Sequence, residues 1–74
     1  MKIYNVLLLG LTSSVYAEVY SYRTKEEAEK KMNSIFWDLQ DEYDQGLQSK
    51  KKDNSIRAWN VYNSFTISIK EQEV

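Results

Sequence analysis

Apolar and polar residues recur at two different periods along the chain, and the change of period divides it into elements. Residues 3–9 are almost continuously apolar, and residues 15–22 alternate with the period of two that a half-buried strand shows. Residues 10–14 between them are rich in glycine and hydroxyl residues, as hairpin loops are. The pattern therefore predicts a β-hairpin over residues 3–22.

The alternation in the second strand assigns its tyrosines to one face. Tyr16, Tyr20 and Tyr22 are separated by even intervals, so their side chains share one side of the strand. Since one helix covers only one side of a sheet, we expect these tyrosines on the uncovered side, where a partner or a second copy would cover them. A solvated mixed face that includes Glu18 is the alternative.

A helical period follows the hairpin. Thr24 and Glu27 have the spacing of a capping box, in which the threonine hydroxyl accepts from the Glu27 amide. Gly46 is the residue type that commonly ends a helix in the left-handed conformation. The apolar residues between these ends recur at intervals of three and four and form one stripe; they are Ala28, Met32, Ile35, Phe36, Leu39 and Tyr43. The sequence predicts an amphipathic helix over residues 24–46.

The C-terminal third returns to a strand pattern. Residues 47–55 are polar and predict a solvated basic loop, whereas residues 56–70 are rich in strand formers. Asn63 and Ser64 fit a two-residue turn that would divide this segment into two strands, and one long bulged strand is the alternative. Residues 71–74 are expected to fray.

These elements predict an α+β fold. One antiparallel sheet of three to four strands, in the order β-β-α-β-β, would pack one long amphipathic helix on one face. Seventy-four residues are sufficient for a single domain, which we expect to span residues 1–74.

The N-terminus also has features of a secretory signal. A lysine, an apolar stretch over residues 3–11 and Val-Tyr-Ala at residues 15–17 follow the signal-peptide order. Asn5 interrupts the apolar stretch, which is also shorter than the roughly 20 residues that span a membrane. A retained strand, a cytoplasmic location and no membrane association are therefore expected. A secreted or structural protein with residues 1–17 as a cleaved leader is the alternative.

The inventory of residue types argues against catalysis. The chain has no cysteine and no histidine, which removes thiol nucleophiles, imidazole bases, disulfides and the usual zinc ligands. Its two glycines are too far apart to form a phosphate-binding loop. We therefore expect a protein that is not an enzyme and that needs no cofactor or metal.

Charge is balanced overall but unevenly distributed. The net charge is −1, yet residues 24–46 carry seven acidic and three basic groups, and residues 47–57 carry four basic and one acidic group. Carboxylates near the end of a helix are disfavoured by its macrodipole, so their accumulation there indicates a docking surface. These carboxylates are Asp38, Asp41, Glu42 and Asp44. The alternative is that Lys50, Lys51 and Lys52 fold back and neutralise them.

The two tryptophans have different expected roles. Trp37 falls on the polar side of the predicted helix, opposite the apolar stripe. Tryptophan is enriched among residues that dominate binding energy, so Trp37 is a candidate interface anchor. Cover by the loop at 47–55 or by a second subunit is the alternative. Trp59 lies in a predicted strand beside Val61 and is expected in the core.

Direct binding of nucleic acid is not expected from the sequence. The three lysines at residues 50–52 would supply at most about three phosphate contacts. No second basic strip or interleaved aromatic residue is visible beside them, and the predicted helix face is acidic and would repel DNA.

Three features recur together in this chain: the hairpin, the helix opening Thr-Lys-Glu-Glu-Ala at residues 24–28, and the alternating Phe-Thr-Ile-Ser-Ile at residues 65–69. In this combination the chain resembles the short β-β-α-β accessory proteins encoded by bacterial phages. The resemblance covers most of the chain and is architectural. It implies an inhibitor of a host or defence protein, in some members one that presents carboxylates where DNA would lie.

This resemblance turns the acidic helix into a functional hypothesis. We predict a non-enzymatic inhibitor that binds a host protein, such as a DNA-binding protein or a nuclease, and competes there with nucleic acid. The predicted contact residues on the helix are Trp37, Asp38, Asp41, Glu42 and Asp44. The tyrosine face of Tyr16, Tyr20 and Tyr22 is a second predicted surface, where the alternative of a homodimer would form.

Overall fold

The computed structural model describes residues 1–11, 15–42 and 47–74, which form one sheet and one helix. The elements in chain order are β1 (Lys2–Leu11), β2 (Val15–Tyr22), α1 (Lys25–Glu42), β3 (Gln48–Lys52), β4 (Ser55–Trp59) and β5 (Ser64–Glu73). The strands pair antiparallel throughout, in the spatial order β2-β1-β5-β4-β3. The α+β class is therefore confirmed, but the described sheet has five strands rather than three to four.

The N-terminal hairpin forms where the alternation predicts it. Leu7 lies opposite Val19, and the pairing continues from Tyr4–Tyr22 to Leu11–Val15. On its other side β1 pairs with β5 along its whole length. Asn5 does not weaken this arrangement, because its side chain accepts from the Ser21 hydroxyl at 2.7 Å and donates to Gln72 at 3.0 Å. One polar residue thus ties three adjacent strands together.

The helix begins with the predicted cap. The Glu27 amide donates to the Thr24 hydroxyl oxygen at 3.2 Å, and that hydroxyl donates to the Glu27 carboxylate at 2.9 Å. Helix α1 is described to Glu42, so its predicted end at Gly46 and the predicted core residue Tyr43 lie outside the described residues.

The core lies between α1 and one side of the sheet. Five of the six apolar residues predicted along the helix are buried, and they meet alternate residues of β1, β4 and β5. The buried apolar side chains are Val6, Leu8, Ala28, Met32, Ile35, Phe36, Leu39, Leu47, Ile56, Ala58, Phe65, Ile67 and Ile69. We call this side of the sheet the core face and the opposite side the open face.

The segment predicted as a solvated loop, residues 47–55, instead contains a strand. Gln48–Lys52 forms β3 at the edge of the sheet, paired with β4, and Asp53 and Asn54 connect the two. All five residues of β3 are exposed, so no apolar alternation marks it in the sequence. Lysines on an exposed edge strand also discourage pairing with other chains.

The C-terminal region differs from the prediction in its turn and its tail. Residues 56–70 do divide into two strands, but the turn is at residues 60–63, where the Asn60 side chain accepts from the amides of Tyr62 and Asn63. The tail does not fray, because β5 runs to Glu73 and the Val74 amide donates to the Met1 carbonyl at 2.8 Å.

The expected facing of the β2 tyrosines is wrong. Tyr20 and Tyr22 are half-buried and pack against the hydrophobic core, while Ala17 and Val19 lie on the open face. Pairing explains this, because Val6 is buried in the core and lies directly opposite Tyr20. The open face, where a homodimer was expected, therefore carries Ala17 and Val19 instead of these tyrosines. The side chain of Tyr16 lies outside the described part of the structure.

Trp59 is also not a core residue. Its neighbours Ile56 and Ala58 point into the core, so Arg57 and Trp59 lie on the open face by strand alternation. Trp59 is half-buried there, and the guanidinium carbon of Arg57 lies 6.0 Å from the centre of its ring.

Candidate functional site

Trp37 is the large aromatic residue that the helix leaves in solvent. It is 64% exposed, on the side of α1 opposite the buried stripe. Its contact with Phe36 is edge-on, with ring centres 5.5 Å apart. Because Phe36 itself is buried, the indole rests on the margin of the core with most of its surface available to another molecule.

The surroundings of Trp37 are polar and do not cover it. Helical spacing places Asn33, Ser34, Gln40 and Asp41 beside it, and all of these except Gln40 are exposed. Gln40 is engaged elsewhere, since its amide group donates to the Leu47 carbonyl at 3.0 Å and accepts from the Leu47 amide at 3.1 Å. These two bonds attach Leu47 to the last turn of α1, and residues 48–52 beyond it form a strand of the sheet instead of covering the indole.

The predicted acidic residues occupy two different sides of the helix. Asp41 lies one turn from Trp37 and shares its side. Asp38 and Glu42 lie on the flank that faces β2, where they line a cavity of about 200 Å³ together with Glu18, Tyr20 and Lys31. Asp44 lies outside the described residues. The structure thus brings Trp37 and Asp41 together and places the other two carboxylates along the neighbouring edge.

Tyr20 organises that flank. Its hydroxyl donates to the Glu18 carboxylate at 2.7 Å, and the ammonium group of Lys31 lies 4.3 Å from the centre of its ring. The hydrogen bond to Glu18, with smaller contributions from desolvation and from nearby negative charge, raises the pKa of Tyr20 above its ordinary value. Tyr20 is therefore held as a neutral donor to Glu18 on its own strand, while the Lys31 ammonium over its ring connects β2 to the helix.

The lysines of β3 do not all turn toward the acidic helix. Lys51 is on the core face, with its ammonium group 5.3 Å from the centre of the Phe36 ring. Lys50 and Lys52 alternate to the open face. The proposed neutralisation of the helix carboxylates by all three lysines is therefore wrong.

The sequence did not show a cationic cluster that the sheet assembles on its open face. Lys50 lies opposite Arg57, Lys52 lies opposite Ser55, and Arg57 lies opposite Thr66 on β5. These five side chains line a shallow pocket of about 150 Å³. Alternation alone places Arg57 beside Trp59, but the lysines join them only through the pairing of β3 with β4.

The described residues hold neither a metal-binding cluster nor a membrane-spanning helix. None of the acidic groups there is arranged in a set of three or more that could hold a metal ion. Across the same residues, α1 included, no helix combines the length and the apolar character that crossing a membrane requires.

No protein-family model, no curated protein and no solved structure matches this chain.

Proposed function

We propose that this chain is a non-enzymatic binding protein that contacts a partner protein through Trp37 and the carboxylates of the same half of the helix. The observation that carries the proposal is the 64% exposure of Trp37 on a helix whose opposite side is filled by five apolar residues. A tryptophan that contributes little to the core, yet interrupts a polar surface, has the chemistry of an interface anchor.

The charge around Trp37 defines the kind of partner. The second half of α1 carries Asp38, Asp41 and Glu42, and its last turn has no basic residue. These carboxylates oppose the helix macrodipole, so a partner that supplies cations would relieve an unfavourable interaction as well as form new ones. The fitting surface is a basic protein surface with an apolar pocket for the indole.

A basic partner surface is also the kind that binds nucleic acid. On this basis, and on the architectural resemblance to phage accessory proteins, we extend the proposal to inhibition. The chain would occupy the nucleic-acid site of a host or defence protein in the cytoplasm of an infected bacterium. Trp37 would supply affinity, and the carboxylates would supply orientation and rate of association.

The test compares Trp37→Ala with Tyr62→Ala as bait for proteins of a bacterial lysate treated with nuclease. Tyr62 is 86% exposed in the 60–63 turn, so its replacement removes an exposed aromatic residue without touching the helix. We expect a protein that wild type and Tyr62→Ala retain and that Trp37→Ala binds at least about 30-fold more weakly, as at a hot spot.

The electrostatic part is tested with the same partner. The double variant Asp38→Asn and Asp41→Asn should slow association and flatten its salt dependence. Replacement of Glu71 and Glu73 by glutamine removes the same charge from the tail and should leave association unchanged. A partner that binds Trp37→Ala as tightly as wild type would refute the proposal.

A further inference from the structure

The open face of the sheet holds a pocket whose described lining residues are three cations and two hydroxyls. Lys50 and Lys52 come from β3, Arg57 and Ser55 from β4, and Thr66 from β5. No acidic residue is among them. Like charges brought together on neighbouring strands repel one another, so a bound anion would stabilise the arrangement.

We propose that this pocket binds the phosphate groups of a single-stranded nucleic acid, with a base stacked on Trp59. The planar guanidinium of Arg57 presents paired donors that match phosphate oxygens, and the two lysines add positive charge. The hydroxyls of Ser55 and Thr66 are further donors of the kind that contact nucleic-acid backbones.

Trp59 makes a nucleic acid a better fit than an acidic peptide. It lies two residues beyond Arg57 on the same face of β4, and the guanidinium carbon of Arg57, a residue of the pocket, is 6.0 Å from the centre of its ring. Cations alone would serve any polyanion, whereas an aromatic ring beside a cationic groove is what single-stranded nucleic-acid sites share. Bases of an unpaired strand can stack there because they are not engaged in a duplex.

The geometry also gives the strand a path across the molecule. Every residue of β3 is exposed, so the edge of the sheet is open beside Lys50 and Lys52. Lys70 lies on the open face of β5, two residues beyond Ser68, which pairs with Ser55. Lys70 thus adds a cation on the central strand, past the Ser55 end of the pocket.

The acidic side chains of the helix do not block this surface. Helix α1 packs on the core face, so Asp38, Asp41 and Glu42 are separated from Lys50 and Lys52 by the thickness of the sheet. The two charged surfaces point in opposite directions. This inference is independent of the proposed function, and one chain could engage a protein on the helix and a nucleic acid on the sheet.

The experiment measures fluorescence anisotropy of a labelled oligothymidine of about 12 nucleotides at low salt, a length within the range that small single-strand modules cover. With three to four phosphate contacts, the affinity should fall about 20- to 50-fold when salt is raised fourfold. Lys50→Gln with Lys52→Gln should weaken binding and reduce the logarithmic salt slope by about 1.4. Lys25→Gln with Lys30→Gln, the same charge change on the helix, should leave the slope unchanged.

Stacking is tested separately in a Trp37→Phe background, where Trp59 is the one remaining tryptophan. We expect the oligonucleotide to quench its fluorescence, and Trp59→Leu to weaken binding at least about fivefold. Circular dichroism of each variant verifies that it is folded.

Three results would overturn the inference. The first is that the oligonucleotide does not bind at low salt. The second is that the sheet and helix lysine variants lose affinity equally, which would mean that the overall charge of the protein, and not this pocket, attracts the oligonucleotide. The third is binding of a polyglutamate peptide as tight as that of the oligonucleotide, with no change in Trp59 fluorescence, which would assign the pocket to an acidic protein.

Discussion

Tyr20 shows how one side chain can serve two elements at the same time. The ammonium group of Lys31 on the helix lies over its ring, and its hydroxyl donates to Glu18 two residues earlier on its own strand. Sequence alternation correctly separated the tyrosines from Ala17 and Val19. It could not say which side the helix would cover, because that depends on the pairing of β2 with β1.

The hydrogen bond of Tyr20 makes the free energy of unfolding depend on pH in the alkaline range. The folded protein holds the pKa of Tyr20 above the ordinary value of 10.0, so the neutral phenol is favoured by folding. That contribution is complete below pH 10.0 and is lost as the pH rises through the pKa of the folded state. The free energy of unfolding of wild type should therefore fall relative to that of Tyr20→Phe above pH 10.0, as measured by urea titration.

Between neutral pH and about pH 9 the difference between the two proteins should stay constant, because the phenol is neutral in both folded and unfolded states there. Parallel profiles at all pH values would show that folding does not raise the pKa of Tyr20.

At the scale of elements, local signals were predictable and pairing was not. The capping residues Thr24 and Glu27 and the apolar stripe of the helix lie within one segment, so the sequence alone identifies them. Strand β3 has no apolar residue and exists because its backbone pairs with β4. Its one sequence signal is Asp53-Asn54, residue types common in two-residue hairpin connections.

The need for strand pairing also explains which residues of the candidate sites the sequence could predict. Trp37 could be predicted because helical periodicity places it opposite the apolar stripe without any tertiary information. The cluster of Lys50, Lys52 and Arg57 could not, because its members come together only after β3 and β4 pair. The expectation that Trp59 lies in the core is wrong for a related reason. Residues 56–59 alternate clearly, but Ile56 and Ala58 are the ones that face the core, so Trp59 faces the other side.

The C-terminal strand provides a test at this scale. Met1 and Val74 exchange two backbone hydrogen bonds, and in an antiparallel ladder such pairs alternate with unbonded ones. Gln72 opposite Ile3 should then also be a bonded pair, while Glu71 and Glu73 direct their amides away from β1.

Hydrogen exchange monitored by NMR should find the Gln72 amide protected and the Glu71 and Glu73 amides exchanging much faster. Uniformly fast exchange over residues 71–74 would mean that the tail frays, as its sequence alone predicts, and that β5 is shorter than described.

At the scale of the whole molecule, the sheet separates two surfaces of opposite charge. The helix side carries Asp41 beside Trp37 and Asp38 and Glu42 on the flank that faces β2, and the open face carries Lys50, Lys52 and Arg57 near Trp59. The net charge of −1 conceals this separation. Each surface combines an aromatic ring with charged side chains, and the two surfaces fit partners of opposite charge.

The proposed use of the helix surface depends on the core being complete without Trp37. Val6, Ile67 and Phe65 are almost wholly buried, as are the five apolar residues of the helix stripe, whereas the indole lies at the margin of the core against Phe36. Most of the Trp37 ring, 64% exposed, is then available for binding.

The most direct measurement is the free energy of unfolding of Trp37→Ala, by urea titration against wild type. We expect a change within about 1 kcal/mol, since the ring is mostly exposed and alanine favours the helix. A loss of about 3 kcal/mol or more, the cost of truncating a buried aromatic residue, would contradict the account. It would make Trp37 a packing residue and remove the basis for a partner on the helix.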